Sequence, residues 1–142
     1  MTDLELQNCK SIANLLKRKS LYGLMILVTI PIFFFFYSHF DINLLLKSIF
    51  LISGILVVLG GLHMQFDANL FNDLFTKKKT IQDVDKKIES IFKRKMNNRT
   101  IEDRVLGSKT MIKRFQIFVL FHVFIFIVCT ILVIKDIMDV AC

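Results

Sequence analysis

The sequence predicts an all-α integral membrane protein: three transmembrane helices, the second and third extended into a helical region on the cytoplasmic side. Three observations carry this. Hydrophobic residues make up 54% of the 142, including fifteen Phe, and the mean hydropathy is +0.58, more apolar surface than so short a chain hides in one core. That content gathers into three runs of about 20 residues, the length needed to cross a hydrocarbon layer. The basic residues behind the net charge of +7 lie almost wholly outside those runs.

Residues 1–20 form a leader in which Leu6, Cys9, Ile12, Ala13 and Leu16 recur at helical spacing. This predicts an amphipathic helix lying on the membrane and feeding the first span. That span, residues 21–40, contains no Lys, Arg, Asp or Glu. A mixed leader precedes it and no small-residue cleavage site follows residues 33–36, so it reads as a retained signal anchor. Pro31, near its middle, removes a backbone hydrogen bond and predicts a kink. Residues 41–43 make a short outer loop. The second span, residues 44–64, carries only Lys47, close enough to its end to snorkel. The third, residues 115–134, is free of formal charge and leaves 135–142 as an outer tail. Backbone polar groups in hydrocarbon need internal partners, so all three must be helices.

Residues 65–114 are a basic cytoplasmic region with helical pattern. Phe66, Leu70, Phe71, Leu74 and Phe75 continue the second helix to about Phe75. Thr80 with Asp83, and Thr100 with Asp103, match capping boxes. Ile81, Val84, Ile88, Ile91, Phe92 and Met96 form an apolar stripe that Asn97 and Asn98 end. Ile101, Val105, Ile112 and Phe115 lead into the third span as one helix. The apolar faces of these pieces suit a small bundle. Gly107 is its weak point, since a helix-interior Gly costs about 1 kcal/mol relative to Ala.

Lys and Arg set the orientation. The leader has four and residues 65–114 have thirteen, seventeen of the nineteen in the chain. Lys47 and Lys135 fall on the other side. The expectation is a bacterial-type inner membrane with the N-terminus and the basic region in the cytoplasm and the C-terminus outside. Cys9, Cys129 and Cys142 lie in three different settings and do not read as a disulfide framework.

His122 and Cys129, seven residues apart on one face of the third span, are candidates for an intramembrane polar contact, with His63 at the cytoplasmic end of the second span. The ordinary role of such a His is a hydrogen bond to a neighbouring helix. His63 and His122 as joint haem or metal ligands are disfavoured, because their depths differ by roughly 9 Å at 1.5 Å per residue, and His39 lies on the opposite side. No cofactor or metal is expected. Ser53, Gly54, Gly60 and Gly61 form a candidate helix-packing face, toward another span or another protein. Lys77, Lys78 and Lys79, and Lys93, Arg94 and Lys95, are candidate contacts for anionic lipid headgroups or an acidic partner. No nucleic-acid reading module accompanies them. Glu102, Asp103 and Arg104 fit the first turn of a capped helix and suggest no chemistry.

No acidic residue lies in a span and no internal repeat is visible, which disfavours a pump or transporter; an oligomeric channel or transport component stays as an alternative. No nucleophile–base pair or phosphate loop points to an enzyme. The expectation is a non-catalytic inner-membrane subunit that docks another membrane protein, or a second copy of itself, through its cytoplasmic region or the small face of the second span. The layout also resembles the immunity proteins that protect bacteria from channel-forming colicins: short, basic, multi-span proteins, some with three spans and a basic cytoplasmic loop. The resemblance is architectural and covers the whole chain without a shared motif. It implies neutralisation of a membrane-inserting toxin and assigns no residues.

Overall fold

The computed structural model describes residues 2–37, 43–76, 78, 80–92 and 100–141, the side chains of 36, 87, 91, 92, 140 and 141 excepted. Four helices account for nearly all of them: α1 (Asp3–Tyr37), α2 (Leu44–Phe75), α3 (Ile81–Phe92) and α4 (Ile101–Ala141). Of these, α1, α2 and α4 are long and apolar enough to cross a membrane, which supports a multi-pass membrane protein.

Local chemistry sets the starts. In α1 the Thr2 N–H donates to Glu5 Oε2 at 2.7 Å and the Glu5 N–H donates to Thr2 Oγ1 at 3.3 Å, a reciprocal box that satisfies two otherwise unpaired donors. The same arrangement joins Thr80 with Asp83 and Thr100 with Asp103. At α2 the Asn43 side chain accepts from the Leu45 N–H at 2.9 Å.

One expectation needs correction. The leader is not a separate helix lying on the membrane. It is the first part of α1, and Cys9, Ile12, Ala13 and Leu16 are buried by protein. Burial against other helices gives that stripe the same release from water that lipid was expected to give. Residues 135–141 continue α4 as far as Ala141, because nothing in them breaks a helix. Pro31 lies inside α1, which continues through it to Tyr37. The stop expected at Asn97 and Asn98 lies outside the described residues.

The chain divides into two compact units, one of Met1–Lys19 with His63–Lys113 and one of Ser20–Leu62 with Arg114–Cys142. We call them the polar and the apolar unit. In the polar unit the buried side chains include Cys9 and Leu16 from α1, Met64, Phe71 and Leu74 from α2, Val84 from α3, and Ile101 and Ile112 from α4. Phe66 and Phe75, the ends of the aromatic stripe on α2, are half-buried. An ion pair between Arg104 and Asp85 ties α4 to α3, and Lys10 Nζ stands 5.3 Å from the centre of the Phe75 ring.

In the apolar unit the core is Phe33, Tyr37, Phe50, Ile125 and Cys129, flanked by Ile30, Leu46, Ile49 and Val133. Phe33 stacks on Phe50 with ring centres 3.7 Å apart and on Tyr37 at 4.1 Å. Thr130 Oγ1 donates to the Phe126 carbonyl at 2.9 Å, which leaves its lone pair to accept the Tyr37 hydroxyl at 2.7 Å.

Candidate functional site

Three candidate residues of the apolar unit, Ser53, Gly54 and His122, come together. His122 on α4 and Ser53 on α2 are both buried, and Ser53 Oγ lies 2.8 Å from His122 Nδ1. Ser53 Oγ also donates to the Phe50 carbonyl one turn back, at 2.9 Å. A hydroxyl has one proton, so with that proton directed at the carbonyl the Nδ1–H of His122 is the donor to Oγ. The imidazole lies against the Phe50 ring, centres 4.5 Å apart. Sequence spacing put Ser53 and His122 on inward faces; it did not pair them.

Gly54 makes room for this contact. A methyl group at its Cα would come within 3.1 Å of His122 Cε1 and 3.0 Å of Ile30 Cδ1. One turn and a half along α2, Gly60 and Gly61 serve two different helices. A Cβ on Gly60 would meet the Phe115 ring of α4 at 2.9 Å, and one on Gly61 would meet Gly23 Cα of α1 at 3.0 Å. Gly23, not singled out from the sequence, is the reciprocal contact at 3.0 Å. All four residues of the candidate packing face on α2 are therefore used within the chain.

Cys129 is fully buried, but in the aromatic core beside Phe33 and Phe50. His63 is exposed and belongs to the polar unit. Its neighbour there is Asp67, one turn on. Burial pushes the Asp67 carboxyl up from its ordinary value, and the His63 charge offsets part of that rise. Burial also pushes the Cys9 thiol up, with the Glu5 charge adding to it, so Cys9 is a packing residue of low reactivity. Among the described residues no group of three His, Cys, Asp or Glu side chains is placed to hold a metal ion.

Of the basic candidates, Lys78 is exposed, while Lys77, Lys79, Lys93, Arg94 and Lys95 lie outside the described residues, as does His39. Arg104, given no role from sequence, is the half-buried partner of Asp85. The signal for that pair was a charge on an otherwise apolar helical stripe in each of α3 and α4.

Chemically, the His122–Ser53 centre has a hydrogen-bonded imidazole and, among the described residues, no carboxylate or thiol bonded to it. It suits a polar tie between two helices rather than proton transfer. No family model, curated protein or solved structure matches this chain.

Proposed function

We propose that this chain is a non-catalytic, multi-pass protein of a bacterial-type inner membrane that docks another protein through the helical region outside the bilayer. One observation carries the reading. In the apolar unit the small and polar side chains Gly23, Ser53, Gly54, Gly60, Gly61 and His122 all face partners within the chain, while the strongly exposed side chains are bulky and apolar, among them Leu24, Met25, Ile52, Leu56, Leu120 and Phe124. Lipid tails solvate such a surface as well as another helix does, so specific association inside the bilayer needs close-packing small residues or polar contacts. With those already engaged, the polar unit is the better docking element. Its basic runs also suit the anionic headgroups of the cytoplasmic leaflet.

Isolation in mild detergent, followed by mass spectrometry of co-purifying chains, tests this. A fixed partner at constant stoichiometry is expected. Recovery of the chain alone as a monomer counts decisively against it. The layout of three apolar helices with a charged region between the second and third favours a second reading, immunity to a pore-forming toxin. In that case cells expressing this chain survive toxin insertion without any further host protein.

A further inference from the structure

We propose that the groove between the start of α1 and the start of α4 is the docking surface of the polar unit, and that it takes a basic amphipathic helix of a partner protein. This inference rests on the subunit reading above and gives it a location. The groove has a volume of about 360 Å³ and is lined by Glu5 and Asn8 of α1 and by Ile101, Val105 and Leu106 of α4. That is room for two or three anchoring side chains, not for a whole element, as when a helix lays one apolar stripe into a groove.

Its apolar character is concentrated there. Among the described residues of the polar unit only three large apolar side chains are strongly exposed: Leu4 at 68%, Leu106 at 65% and Leu15 at 39%. Leu106 lines the groove. Leu4 and Leu15 stand four and seven residues from Asn8, on the same stripe of α1. The exposed face therefore borders the groove, and among the described residues none of it lies on the α2 or α3 part of the unit.

Its charge opposes that of the chain. The protein carries +7, yet the groove is lined by Glu5, Glu102 and Asp103 against Lys109 alone. Glu5 and Asp103 cap their helices, and each helix start contributes about half a positive charge that offsets part of theirs. Glu102 is exposed and adds a further carboxylate. A partner bearing Lys or Arg beside Leu, Ile or Phe meets this face on both counts.

Two other occupants fit less well. An anionic lipid headgroup would meet Glu5, Glu102 and Asp103 against Lys109 alone, a face of its own sign. A second copy would need a free basic amphipathic helix, but in α3 the described part of the apolar stripe is engaged, with Val84 buried and Ile81 and Ile88 half-buried.

The test uses the full chain in nanodiscs of zwitterionic lipid and two fluorescent helical peptides of equal length, one of Leu and Lys and one of Leu and Glu. The Leu–Lys peptide should bind saturably above the empty-disc background, and the Leu–Glu peptide should not. Leu106→Ser and Glu102→Lys should each weaken binding by about tenfold, whereas Asp136→Lys, the same charge change at the far end of α4, should leave it unaltered. Leu4→Ser gives a second apolar probe, and circular dichroism checks that each variant keeps its helix content. Equal binding of both peptides, or wild-type binding by the Leu106 and Glu102 variants, overturns the groove. So does a dimer that Leu106→Ser converts to monomer, since the occupant is then a second copy. If a native partner still co-purifies with those variants, the groove fails and the subunit reading stands; if no partner co-purifies with the wild type, the subunit reading fails whatever the peptides do.

Discussion

The buried Ser53 hydroxyl makes two contacts, one within α2 and one to α4, and this makes it an exacting side chain of the apolar unit. Replacement by Ala leaves the His122 Nδ1–H buried beside a methyl group. An unpaired buried donor costs about 1–3 kcal/mol, whereas removing both partners together costs less than the separate losses imply. Ser53→Ala should therefore lower thermal stability in detergent clearly, and adding His122→Leu should return part of the loss. A double variant no better than the sum of its parts would sink the pairing. Asp67 offers a second test, in pH. Its folded carboxyl binds a proton more tightly than the ordinary value of 3.8 allows, so the folded state holds more protons than the unfolded one across that window, and stability falls as pH rises through it. Asp67→Asn removes the ionisation. The variant should melt with the wild type near pH 4 and above it at pH 7; a gap that stays constant with pH excludes desolvation of Asp67 as the cause.

At the scale of elements, the helix crossings decide which glycines matter. Gly23 and Gly61 bring α1 and α2 together backbone against backbone, and backbone cannot yield as a side-chain end can. Gly61→Ala should cost about 1–3 kcal/mol through overpacking. Gly107 in α4 meets nothing within 4 Å, so Gly107→Ala should raise helix stability by up to about 1 kcal/mol. Thermal melts of the two variants should move in opposite directions; a shared direction contradicts the packing described. The same crossings show what was legible beforehand. Gly23 with Gly61 and Phe33 with Phe50 are both centred near residue 42, so the short connection between α1 and α2 already contained their register, and Gly23 was readable from it. Ser53 with His122 and Gly60 with Phe115 share a different centre, between residues 87 and 88. Fifty residues of polar unit separate those strands of the sequence, and no local pattern in them specifies how two helices beyond them align. Hydrophobic period and capping boxes gave the element starts, since those are local. The fate of the leader was not legible, because an apolar stripe looks the same whether lipid or protein will cover it. The groove escaped notice for a related reason: its residues come from two elements ninety-odd positions apart, and each looked like an ordinary first helical turn.

At the scale of the whole molecule the question is direction across the bilayer, and the expected answer rests on charge. Seventeen of nineteen Lys and Arg fall before residue 21 or between residues 65 and 114, and if the three apolar helices all cross, both stretches fall on one side. Moving one positive charge against a membrane potential costs about 2.3 kcal/mol per 100 mV, and the cytoplasmic leaflet attracts each Lys or Arg near it by about 1 kcal/mol. The reverse orientation would carry thirteen charges of the region between α2 and α4 outward, in exchange for only Lys47 and Lys135. Alkaline phosphatase, active only outside the cytoplasm, reads the result. A fusion after Lys79 should be inactive and one after Cys142 active. Only one candidate span, within α4, lies between the two fusion points, so the pair is informative in every combination. The opposite pattern inverts the molecule. Equal activity at both points means that α4 does not cross, and that the most apolar of the three helices, with a mean hydropathy of 3.2 over its best window, is covered by something other than lipid.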